Sequence, residues 1–182
     1  YLLVPVEGFH LPSGVLHAPG TALTIELQED SDVFAMLQAL VVDKIISKDL
    51  LYKDVRKQDR AKYGERVILG QVDWEISGDP FFYENRHTSP QLVEGPAQAG
   101  GEEHWIYYNT TRFSGKRLVV KPGQSYTSLD RGVYNILVWQ GRGRYDGHEI
   151  EAGNHDLDEL LISYSKATVP ITVENTGTED LM

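Results

Sequence analysis

The sequence predicts an all-β protein of the antiparallel sandwich or barrel kind, with a partly helical connector. Three observations predict it. From about residue 81 the chain is a string of short runs rich in Tyr, Val, Ile and Trp, separated by Gly, Pro, Asn and Asp; closed antiparallel sheets read this way. Near the start, Thr21 to Glu29 alternates, with Thr24, Glu26 and Gln28 on one face and Leu23, Ile25 and Leu27 on the other. That is the period of a strand between a wet and a dry side. Between these regions, residues 43–66 carry eight Lys/Arg against five Asp/Glu.

The elements come in order. Leu2 to Val6 is a short apolar run ended by Glu7-Gly8. Turns at Leu11-Pro12-Ser13-Gly14 and Pro19-Gly20 bracket Val15-Leu16-His17-Ala18 and lead into the alternating stretch. Glu29-Asp30-Ser31-Asp32 forms an acidic turn that can cap the next element. Val33 to Val42 is apolar throughout and too short to separate helix from strand. Asp54, Arg56, Lys57, Gln58, Asp59, Arg60 and Lys62 predict an exposed helix or linker. The basic stretch reads as a solvated connector, or alternatively as a phosphate-attracting rim. Strands are then expected over residues 105–109, 117–121, 134–140, 159–165 and 169–174.

Composition narrows the function classes. The 182 residues suffice for one domain, or one and part of another. A formal charge of −10 repels a phosphate backbone, so a general nucleic-acid binder is not expected. Without cysteine there is no disulfide scaffold, thiol nucleophile or Cys-ligated metal. A metal would need His, carboxylate or amide ligands, and six histidines are present. No apolar run is long enough for a membrane span, and the opening has no basic n-region or cleavage pattern, which points to a cytoplasmic protein. The chain opens without Met inside what reads as a β segment, as a piece of a longer protein would.

His17 is the sharpest candidate. Pro12-Ser13-Gly14 sets a tight turn that places it at the head of a strand, across the next turn from Glu26 and Gln28. Imidazole and carboxylate pointing inward from adjacent strands make a divalent-metal site, with His17 and Glu26 as ligands and Gln28 as a substrate contact. A buried, hydrogen-bonded structural histidine is the other reading. Alternation puts His104, Ile106 and Tyr108 on one face and Glu103, Trp105 and Tyr107 on the other, and an aromatic wall with polar groups at its edge suits a sugar-type ligand. The alternative is an inward aromatic cluster with His104 bonded at one end. His148 and His155 lie in loops without helical zinc spacing, and no serine sits in a nucleophile elbow. Gly141-Arg142-Gly143-Arg144 lacks the third glycine and the helix of a nucleotide fingerprint.

Residues 12–32, PSGVLHAPGTALTIELQEDSD, resemble a region of the type I mannose-6-phosphate isomerases, where a Pro-x-Gly-x-x-His-Ala turn leads into a strand ending Glu-Ile-Gln-Gln-x-Ser-Asp. The counterparts are Pro12, Gly14, His17, Ala18, Glu26, Gln28, Ser31 and Asp32. The resemblance implies that His17 is a zinc ligand. The turn is also the second motif of cupins generally. The later half resembles a cupin too: Val119 to Gly123 and Val133 to Gly143 are similar to the first motif, and Leu161 to Gly177 to the second. Where these motifs carry metal-binding histidines, this chain has Tyr126, Thr127 and Ser128, and Pro170 or Ile171.

The implied architecture is a bicupin, with jelly-roll barrels. Residues 1–32 would be the closing strands of a first barrel, 33–80 a partly helical connector, and 81–182 a second, degenerate barrel without metal. The implied parent is a metal-dependent aldose–ketose isomerase that interconverts mannose 6-phosphate and fructose 6-phosphate, the fragment alone being inactive. The isomerases place an arginine where this chain has Met36, and no arginine occurs from 30 to 55. The alternative is a non-enzymatic sugar-binding or structural bicupin. The expected partner is a sugar or sugar phosphate, with no nucleic acid or membrane, and with a homodimer as the default assembly.

Overall fold

Every strand pairing described is antiparallel, and the strands gather into several small sheets. The structure, a computed structural model, describes residues 4–18, 20–31 and 33–182. It divides into a first unit ending at Thr88 and a second, Ser89–Met182. Among the described residues, no helix is long and apolar enough to cross a membrane.

In the first unit, β1 (Gly8–Phe9) pairs with a strand far along the chain, β4 (His87–Thr88). Between them, β2 (Leu40–Val41) and β3 (Lys44–Ile45) form a hairpin. Its turn residues Val42 and Asp43 have φ of 45° and 60°, the backbone that a two-residue hairpin requires. Four short helices come next: α1 (Lys57–Tyr63), α2 (Arg66–Leu69), α3 (Trp74–Ser77) and α4 (Phe82–Arg86). α1 buries none of its residues, in keeping with its charge pattern. The Asp73 carboxylate caps α3 by accepting the Ile76 amide at 2.9 Å. The β1–β4 pair is secured by Phe9 against Tyr83 and His87, and by His87 Nε2 at 2.7 Å from Glu7.

The alternation over Thr21 to Glu29 predicts a strand, and here the structure differs. Residues 21–29 form no strand and all are exposed; Leu23 retains 83% of its surface. Period-2 patterning fixes which side chains share a face, but a strand also needs a neighbour for its ladder and a layer over its dry face. No strand among the described residues supplies either.

The second unit holds β5 (Gln91–Leu92), β6 (Gly101–Tyr107) and β7 (Gly115–Val120), ordered β5-β6-β7. Next come β8 (Ser125–Ser128), β9 (Tyr134–Leu137), β10 (Arg142–Tyr145), β11 (His148–Glu151) and β12 (Glu159–Ile162). The chain finishes with a helical turn α5 (Tyr164–Ala167) and β13 (Ile171–Asn175). One sheet runs β11-β10-β13-β8, while β9 pairs with β12. A bridge from Val120 to Leu181 ties β7 to the tail. The sheets do not close into a barrel. Their inner faces share a core of Val120, Val138, Tyr145, Ile150, Ile162, Ala167, Ile171, Val173 and Leu181.

Two glycines of this unit are structural. Gly141 has φ +80°, and a Cβ there would come within 2.7 Å of the Asp180 carbonyl. At Gly143 a Cβ would strike the Glu174 carbonyl and the Leu181 side chain, so only glycine lets β10 lie this close to β13.

Candidate functional site

His17 sits just past the Pro12–Gly14 turn, and that turn is well fixed. Val15 N donates to the Pro12 carbonyl, and Asp73 N to the Gly14 carbonyl at 2.9 Å. Val15 is buried, while His17 faces solvent. The ring Nδ1 lies 2.9 Å from the Val15 carbonyl. A carbonyl only accepts, so Nδ1 carries the proton; in the neutral ring the lone pair is then on Nε2. A metal-binding imidazole is oriented in just this way, one nitrogen anchored to backbone and the other open.

The other residues of the expected metal site are not gathered around it. Glu26 and Gln28 are exposed on the 21–29 segment, which forms no strand, and no hydrogen bond or ion pair joins either to His17. Among the described residues no group of three or more His, Asp or Glu side chains converges on one point. The donor chemistry of His17 fits a divalent metal, but the full ligand set is not assembled.

In the second unit, β6 and β7 place a charged cluster that sequence pattern alone does not assemble. The Lys116 ammonium lies 2.9 Å from Glu103 Oε1 and 2.9 Å from Asp130 Oδ1, over the Trp105 ring. Ser128 Oγ donates to Glu103 Oε1 at 2.7 Å. Glu103 is 6% exposed and Ser128 is also buried. Burial alone would pull the lysine pKa down; its hydrogen bonds to Asp130 and Glu103, and their charges, outweigh this and hold it above the usual value. One signal for this cluster does exist in the sequence. Lys116 keeps phase with Leu118 and Val120, which face the core, so the alternation puts a lysine on a dry face where it needs an acidic partner.

A tyrosine pair adjoins the cluster. The Tyr134 and Tyr145 hydroxyls are hydrogen-bonded to each other. Burial, then the bond to Tyr134 and nearby negative charge, push the Tyr145 phenol far above its usual range. Burial also raises Tyr134, and Tyr126 is raised by burial and by the charge of Glu103. Ile171 points into the core and Pro170 is exposed.

His104 lies on β6 opposite Arg117, on alternate positions from Glu103 and Trp105. Its Nδ1 and the Arg117 Nε are buried without a hydrogen-bond partner among the described residues. The register shifts between Trp105 and Tyr107, which breaks the simple alternation linking His104 to Tyr108. Tyr108 lies beyond the end of β6, where its hydroxyl donates to the Ser89 carbonyl at 2.8 Å. Compared with known proteins, the chain matches no family model, and no curated protein matches it significantly.

Proposed function

We propose that this chain is part of a bicupin protein of the sugar-phosphate isomerase type, interconverting mannose 6-phosphate and fructose 6-phosphate, with His17 a zinc ligand through Nε2. The observation that carries the reading is the Nδ1 contact with the Val15 carbonyl, which leaves Nε2 available to a metal. The second unit is read as a jelly-roll of cupin type, which its facing antiparallel sheets and shared core support. A bound metal would supply Lewis acidity toward the oxygens at C1 and C2 of the sugar. The chain's own contributions are narrower. The turn holds the His17 ring in one tautomer, and the Glu26 carboxylate and Gln28 amide are the groups read here as completing a ligand set and orienting a hydroxyl. Those two residues would approach His17 only once the 21–29 segment is paired as a strand.

Metal analysis and an isomerase assay of the intact parent protein and its His17→Ala variant test this. Metal content and turnover should fall together in the variant. Equal metal in both proteins rules out His17 as a ligand.

A second reading, a non-enzymatic sugar-binding bicupin, is favoured by a different observation. The buried and unpartnered Nδ1 of His104 and Nε of Arg117 are the kind of groups that a hydroxylated ligand satisfies. It expects sugar binding that survives His17→Ala and is lost in His104→Ala.

A further inference from the structure

We infer that the second unit carries a binding site for a neutral saccharide in a depression of about 360 Å³ beside Trp139. The inference does not depend on the metal reading. The volume lies near the lower end of the range of roughly 300–1,000 Å³ typical of small-molecule sites. One or two sugar rings are therefore the right scale.

The walls supply the chemistry. Trp139 is 45% exposed, so an indole face is open to a ligand. Around it stand Gln140, Arg142, Glu151 and Glu179. No hydrogen bond or ion pair engages any of these four side chains among the described residues. In this they differ from Glu103, Lys116 and Ser128, which satisfy one another and have a structural explanation. An indole packs against the C–H face of a sugar ring, while planar amide, carboxylate and guanidinium groups meet neighbouring hydroxyls in pairs. Two carboxylates against one guanidinium leave the rim negative, which disfavours a phosphorylated sugar.

The site is also built in advance. Trp139 N and Gln140 N donate to the Met182 carbonyl at 2.8 and 3.2 Å, and Met182 N returns a bond to Gln140 at 2.9 Å. Ala152 N donates to the Gly141 carbonyl at 2.9 Å, and Arg142 is the cross-strand partner of Glu151. At Gly177 a Cβ would press on the Arg142 stem at 3.3 Å, so the missing side chain keeps that wall open. A backbone held in this way leaves only the side chains to be ordered when a ligand arrives.

Saturation-transfer NMR on the full chain, with D-mannose and maltose as neutral probes and mannose 6-phosphate as the anionic one, tests this. Saturable transfer is expected from at least one neutral saccharide, and weaker transfer from the phosphate. Trp139→Ala should weaken binding by about tenfold or more with an unchanged circular dichroism spectrum. Glu151→Gln preserves shape and so remains informative if the alanine variant fails to fold. It should weaken the neutral saccharide by about threefold and narrow its advantage over the phosphate. Three results would overturn the site: no saturable transfer from either neutral probe, binding unchanged in a folded variant of either kind, or a phosphate that binds as well as the neutral sugars and is lost with them in Trp139→Ala.

Discussion

Asn175 is the residue on which the second unit's tail depends most visibly. It is 3% exposed, and its amide nitrogen donates to the carbonyls of Val120 and Glu179, both at 2.7 Å. Its amide oxygen accepts the Gly177 N–H at 2.8 Å. One side chain thus ties β13, β7 and the closing turn together. Replacement by Ala leaves the partly buried Glu179 carbonyl and Gly177 amide without this partner, while the Val120 carbonyl keeps its bond from Leu181 N; at about 1 kcal/mol for each of the two groups, Asn175→Ala should lose about 2 kcal/mol. Urea unfolding of the two proteins measures it; a loss under about 1 kcal/mol would mean that the turn re-satisfies itself with water. Asn175-Thr176-Gly177 after an apolar run is a turn signal, but the bonds of the Asn175 side chain to Val120 and Glu179 are not set by local pattern. Glu103 and Asp130 were not legible in the sequence. Their role depends on which strand lies beside β6 and where the loop after β8 returns, and neither is set by local pattern. The Lys116 phase was readable, its partners were not.

At the scale of elements, the sequence succeeds where an apolar run has a partner and fails where it has none. The runs at 105–109, 117–121, 134–140 and 169–174 overlap β6, β7, β9 and β13. β8, β10 and β11 escape notice because their exposed positions are polar and their inward ones include Gly143 and Ser128, too small to register as apolar. The segment 21–29 is the converse: its alternation is the clearest in the chain, yet it forms no strand. Hydrogen exchange separates intrinsic pattern from actual ladder. Amides of residues 23–28 should exchange rapidly, while those of β13, bonded on both sides to β10 and β8, should be protected. Protection of 23–28 comparable to β13 would show a strand partner for this segment and bring Glu26 and Gln28 into play beside His17.

Across the whole molecule, buried ionisable groups concentrate in the second unit, and so does sensitivity to alkali. Its core includes Tyr145 and packs against Tyr126 and Tyr134, and beside it Lys116 is locked between carboxylates. All four have folded-state pKa values raised above their usual ones. A raised value means that the folded protein keeps protons which the unfolded chain releases. The stability tied to them is therefore fully present below the unfolded values, about 10 for tyrosine and 10.4 for lysine, and is lost as pH rises beyond them. The tyrosines lose a neutral buried phenol and gain a charge that burial and the neighbouring carboxylates oppose. The lysine loses the cation that holds Glu103 and Asp130 together. The two effects have the same sign, so the second unit should weaken steeply above about pH 10, with little change between neutrality and that point. Tyrosinate absorbance from Tyr126, Tyr134 and Tyr145 should appear only as the near-ultraviolet dichroism collapses. Phenylalanine at Tyr134 removes one partner of the hydroxyl pair and one buried titrating group together. Tyr134→Phe should then unfold at a higher pH relative to its own neutral stability, and tyrosinate formed at these three phenols before the dichroism collapses would remove the basis for this account.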